Sequence, residues 1–93
     1  MESIILIQTE VGRTGTVIRA LSVMDEILAA EVVTGPYDIV ARARTASQDI
    51  LVHELETAIR SIPGVTRTVA CPLAGQERIM DMGGDPALAV VSS

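Results

Sequence analysis

Residues 4–9, Ile-Ile-Leu-Ile-Gln-Thr, are rich in β-branched side chains and apolar at both parities, the pattern of a strand buried on both faces. Glu10-Val11-Gly12-Arg13 reads as a turn. Beyond it Val17, Leu21 and Met24 recur at i, i+4 and i+7 with Ile18 beside them, predicting a helix to about Met24 with Thr14 or Thr16 as its N-cap. Asp25-Glu26 breaks it, and residues 27–34 read as a second strand. After Gly35-Pro36, Ile39, Ala41 and Ala43 alternate with Val40, Arg42 and Arg44. That period of two predicts a third strand over 38–44, hairpinned to the second. Thr45 followed by Gln48 is a capping-box pattern. It opens a second helix with an apolar stripe of Leu51, Leu55, Ala58, Ile59 and Ile62, and Glu56 and Arg60 make an i,i+4 pair on its outer side. Pro63-Gly64 ends this helix, and residues 65–71 form a fourth strand stopped by Pro72.

The order is βαββαβ, and it is a repeat: strand-turn-helix-strand over residues 4–34 and again over 38–71. Each helix buries its stripe against a shared four-stranded antiparallel sheet, so the expected class is α+β, ferredoxin-like, with two helices on one face. Strand one cannot leave the opposite sheet face in water. A second copy of the chain is the simplest cover, which makes the expected assembly a homodimer formed through the sheet, a dimeric α/β sandwich. The domain spans residues 1–72. From Leu73 to Ser93 the texture changes to a Gly-punctuated extension, with a short helical turn at Glu77 to Met82 and an apolar run from Ala87 to Val91 expected to pair with a sheet edge or a neighbouring subunit.

Ninety-three residues make one domain, and a domain this small buries only about 60% of its unfolded-chain surface. With 48% hydrophobic residues but no Trp or Phe, the core is aliphatic and association a usual remedy for its modest margin. The net charge of −5 arises with seven Arg and no Lys, and the arginines are dispersed. Direct nucleic-acid binding needs clustered cations, so it is not expected. A single cysteine, Cys71, allows no intrachain disulfide. The N-terminus has only four apolar residues in a row, neither a signal peptide nor a membrane span, so a cytoplasmic location is expected.

No catalytic constellation emerges from the sequence. His53 falls opposite the apolar stripe of its helix and has no partner at motif spacing. Cys71 reads as a small buried hydrophobe. Asp25-Glu26 lacks the further ligands a metal would need, and no cofactor is expected. One group stands apart: Thr34-Gly35-Pro36-Tyr37-Asp38, which carries the only aromatic ring of the chain beside a carboxylate. It reads either as a hairpin connector with Asp38 bonded to nearby backbone or as a binding corner. A free amino acid needs an anion for its ammonium and donors for its carboxylate. Asp38 supplies the first, Gly35 permits close approach to the backbone, and Tyr37 offers an apolar wall with a hydroxyl at its tip. Thr66 and Thr68 share one parity of the fourth strand and are candidate hydroxyl donors; Arg67 points the other way.

Three segments, Ile-Gln-Thr-Glu-Val-Gly at 7–12, Val-Val-Thr-Gly-Pro-Tyr-Asp-Ile-Val at 32–40 and Ile-Pro-Gly-Val-Thr-Arg-Thr at 62–68, strongly resemble the effector domain of the Lrp/AsnC regulators. The resemblance covers residues 3–72 and keeps the βαββαβ order. It implies a ligand-sensing (RAM) module that dimerises through its sheets and assembles into rings of dimers, with amino-acid effectors bound near the second hairpin and between dimers. Carried over, Gly35, Tyr37 and Asp38 are contact positions, joined by Thr66 and Thr68. Family members usually begin with a helix-turn-helix domain, and this chain starts almost directly in strand one, so it resembles a stand-alone form, one that could act by mixing with a full-length Lrp/AsnC regulator. Asp25-Glu26 replaces a common Pro-Gly, and the extension after residue 72 is longer than the family pattern. Two alternatives accompany this reading: a small dimeric monooxygenase-like or isomerase-like enzyme on the same layout, and a ligand-free assembly protein.

Overall fold

The structure is a computed structural model and describes residues 1–74. Four strands form one antiparallel sheet: β1 (Glu2–Thr9), β2 (Ile27–Val32), β3 (Ile39–Arg44) and β4 (Val65–Pro72), in the spatial order β2-β3-β1-β4. Helix α1 (Thr14–Ser22) joins β1 to β2. Helix α2, residues 48–60, joins β3 to β4 and contains a π-helical segment at Leu51–Leu55. The βαββαβ order and ferredoxin-like architecture read from the sequence are those observed. The readings of the extension, the turn at Glu77 to Met82 and the apolar run at Ala87 to Val91, lie outside the described residues.

The core is one aliphatic cluster: Ile5 and Ile7 of β1, Val17 and Leu21 of α1, Ile39, Ala41 and Ala43 of β3, then Leu51, Leu55, Ile59 and Ile62. Alternation in β1 and β3 puts these strand residues on the helix side. The other parity of β1 behaves differently. Ile4 and Leu6 are only half-buried within one chain, because both helices lie across the opposite face. In strand register, Leu6 stands between Val40 and Val69, and Ile4 between Arg42 and Cys71. Cys71 is therefore exposed and not a buried hydrophobe; its parity assigns it to the helix-free face.

Local details differ from the sequence reading where caps are concerned. Helix α1 begins after Arg13, whose side chain has no acceptor to offer, so it has no side-chain cap; the Thr14 hydroxyl instead stands 2.9 Å from that of Thr9. Helix α2 is capped by Ser47, whose Oγ accepts the Ile50 N–H at 3.2 Å. Thr45 is buried instead and donates its hydroxyl to Ser47 O at 3.0 Å. Ala58 is exposed, leaving a stripe of Leu51, Leu55, Ile59 and Ile62. The π-helical turn takes more residues per revolution than an α-turn, so a spacing of four stays on one face through Leu55 and Ala58 rotates outward.

Gly64 fastens the two halves. Its φ is +101°, and a Cβ there would stand 2.7 Å from Arg13 Cβ. Only a residue without a side chain lets its carbonyl come this close to the β1–α1 turn, where it accepts the Glu10 N–H at 2.7 Å.

Candidate functional site

The connection between β2 and β3 is closed by Val33 N–H donating to Asp38 O at 2.9 Å. Gly35 has φ +155° with open space where a Cβ would stand, so the backbone on that side is approachable. Asp38 N–H donates to Ile7 O at 2.9 Å, one step beyond the Ile7–Ile39 pair, which brings the corner alongside the end of β1. Gln8 Nε2 adds a bond to Pro36 O at 3.3 Å.

The end of β1 is held from both flanks. Asp38 Oδ2 accepts the Thr9 N–H at 2.8 Å, and Thr66 Oγ1 donates to Gln8 O at 3.2 Å. The β1–β4 register shifts at this point, from Gln8 opposite Arg67 to Thr9 opposite Val65. Thr66 is the extra residue of that bulge, and a bulge interrupts the ladder. Asp38 thus spends one carboxylate oxygen on backbone; Oδ1 takes no hydrogen bond among the described residues.

Thr68 is turned elsewhere. Its hydroxyl donates to Glu56 Oε2 at 3.0 Å, the same oxygen that meets Arg60 Nη1 at 3.4 Å. It belongs to the contact between β4 and α2. Arg67, on the other parity, sits with its guanidinium carbon 6.0 Å from the centroid of the Tyr37 ring. Of the five residues singled out in the sequence, then, Gly35, Tyr37, Asp38 and Thr66 gather around the end of β1, while Thr68 faces the helix layer. Sequence reasoning missed Gln8, Thr9 and Arg67. The polar Gln8-Thr9 pair that closes an apolar run was the available signal; for Arg67 there was none, since parity alone does not say which face Tyr37 occupies.

The helix-free face holds an open depression of about 280 Å³, lined by Ile4, Ala29, Glu31, Val40 and Arg42. It lies at mid-sheet, apart from the corner. On the same face Glu2 meets Arg44 at 3.0 Å and Arg42 at 3.8 Å, and the hydrogen bond from Arg44 holds the Glu2 carboxyl below its ordinary range. His53 is exposed on α2, and Asp25 and Glu26 are exposed in a turn. Among the described residues no three His, Cys, Asp or Glu side chains are grouped to hold a metal, and no helix is long and apolar enough to cross a membrane.

Residues 2–73 match the family model described as the Lrp/AsnC ligand binding domain. Two solved structures resemble the chain along nearly their whole length. TTHA0845 from Thermus thermophilus is 27% identical with a TM-score of 0.73, over 83% of this chain and 98% of that one. FFRP-DM1 is 29% identical with a TM-score of 0.69, over 74% of this chain and 92% of that one. The transcriptional regulator NMB0573 from Neisseria meningitidis, solved as an L-Met complex, shares the fold at 16% identity and a TM-score of 0.69. The likeness covers 83% of this chain and 52% of that regulator. No curated protein matches the sequence.

Proposed function

The chain belongs to the Lrp/AsnC ligand binding domain family, and on that footing we propose that it is a regulatory module that binds an amino acid at the Gly35-Pro36-Tyr37-Asp38 corner. The family match over residues 2–73 is the observation that carries this reading. The geometry of the corner supports it. Asp38 Oδ1 is free to accept from an ammonium, Gly35 leaves its backbone approachable, and Tyr37 supplies an apolar wall. Thr66 stiffens the site through Gln8 O, while Thr68 is turned to Glu56 on the helix side. The regulator of the same fold from Neisseria meningitidis takes L-methionine, which makes the amino acids the natural class to test.

The space beside Gly35 is open, and in this reading a second subunit would complete the corner. The helix-free face is the first contact: Leu6, Val40, Val69 and Ile4 form a half-buried apolar centre. A homodimer through this face, and rings of dimers beyond it, would cover the centre and bring neighbouring copies to the corner. Transcription would be affected by mixing with a full-length Lrp/AsnC regulator, with no direct contact to nucleic acid. The reading is one of binding and not catalysis, in keeping with a family of ligand binding domains.

A thermal-shift screen of the twenty amino acids tests the reading, because a ligand bound only by the folded state raises the melting midpoint. At least one amino acid is expected to raise it in a concentration-dependent way. A flat response to all twenty at millimolar concentration would sink the proposal.

A further inference from the structure

The donors that sequence parity assigned to a ligand carboxylate are already engaged. The Thr66 hydroxyl donates to Gln8 O and the Thr68 hydroxyl to Glu56. Each carries a single proton, so neither has a second to give. Arg67 is in a different condition. Among the described residues the ion pairs engage Arg42 and Arg44 with Glu2, and Arg60 with Glu56. Arg67 takes part in none of them. It is exposed and rests against the Tyr37 ring at 6.0 Å. A guanidinium carries five in-plane N–H donors, and since no ion pair among the described residues takes those of Arg67, they are open to a planar, bidentate acceptor.

Resting on the amino-acid reading above, we infer that Arg67 is the group that binds the effector's carboxylate, with Tyr37 holding its guanidinium in place. Asp38 and Arg67 lie on β3's and β4's sides of β1, and Gln8 stands between them. Two inter-strand spacings separate their backbones by about 10 Å. An Arg side chain folded back over Tyr37 shortens that gap to the scale of a small zwitterion lying across Gln8. The two charges then select for ligands with both a free ammonium and a free carboxylate. The site discriminates α-amino acids from their amides and from simple amines.

The test uses the full chain, the twenty L-amino acids and their C-terminal amides, which keep the ammonium and side chain but lose the negative charge. The wild-type protein is expected to respond to at least one acid and to bind its amide roughly tenfold to hundredfold more weakly, the range of one charge-assisted bond. Arg67→Gln is expected to lose the same factor for the acid while binding the amide as the wild type does. Arg67→Lys should recover part of the loss by charge alone. Arg19→Gln on α1, which removes equal charge away from the corner, should match wild type. Equal binding of acid and amide, or full affinity in Arg67→Gln, overturns the assignment of Arg67 while leaving the binding reading intact. No wild-type response to any acid overturns both.

Discussion

Asp38 and Thr66, which approach β1 from opposite sides, grip the two ends of one peptide group. Asp38 Oδ2 takes the Thr9 N–H at 2.8 Å, and Thr66 Oγ1 gives its proton to Gln8 O at 3.2 Å. In a trans peptide the N–H and C=O point in opposite directions, so a side chain from each neighbouring strand can satisfy one of them. The clamp sits where the β1–β4 register shifts. It holds the corner on a fixed base, which would lower the ordering cost of binding at the proposed site.

The clamp gives Asp38 two separable roles. Asp38→Ala removes the acceptor of a partly buried N–H and is expected to cost about 1–3 kcal/mol. Asp38→Asn keeps an acceptor oxygen and is expected to lose less. Both variants lose the charge that the proposed site would offer to an ammonium, so both should fail the amino-acid thermal shift. Urea titration of the two variants reads the first effect, and an alanine variant as stable as wild type would refute the structural role.

Gly64→Ala is expected to destabilise the protein by more than the conformational strain alone, about 1–3 kcal/mol for a side chain at a sparsely populated φ. The added methyl would stand 2.7 Å from Arg13 Cβ, so the β1–α1 turn must shift as well. Chemical denaturation measures the loss, with Gly12→Ala as comparison, where φ is +82° but nothing lies within 4 Å.

Ser47→Ala should cost about 1 kcal/mol through loss of the α2 cap, since its Oγ accepts the Ile50 N–H. Gln48→Ala should be nearly silent, because Gln48 is exposed and the capping box suggested by Thr45 and Gln48 does not form. A thermal melt in which Gln48→Ala is the more damaging change would reverse the assignment.

Leu6→Glu places a charge at the centre of the helix-free face, between Val40 and Val69. It is expected to convert the proposed dimer to a folded monomer, read by light scattering with circular dichroism as the fold control. A wild-type protein that is already monomeric at micromolar concentration would remove the reason for the experiment and the dimer with it.

Glu2 should leave a small signature in acid. Its carboxyl is held below its ordinary range by the Arg44 hydrogen bond, so the folded-state value is depressed relative to the unfolded chain. Its contribution is complete above the unfolded value and fades as pH falls through the folded one. Glu2→Gln should flatten that part of the stability profile; an unchanged acid limb would show that solvent screening cancels the pair.

The sequence by itself determined the elements and the topology. Period-two alternation in 39–44 and the four-residue recurrence of Val17 and Leu21 are local signals, set by backbone geometry within one segment. They are strong here because the core is aliphatic and almost uniform. The position of the corner was equally readable, since Gly35 and Pro36 punctuate the chain wherever they stand.

Only the tertiary structure decided what the corner's side chains touch. Asp38 reaches a peptide 29 residues away, and Thr66 reaches one 58 residues away. Those pairings depend on strand register, and a single-residue bulge changes register without altering the hydrophobic pattern. The same bulge sits beside the step that ties Thr68 to Glu56 and sets Arg67 against Tyr37. Parity within β4 says that Thr68 and Arg67 face opposite ways; which of them shares a face with Tyr37 is fixed by how three strands meet.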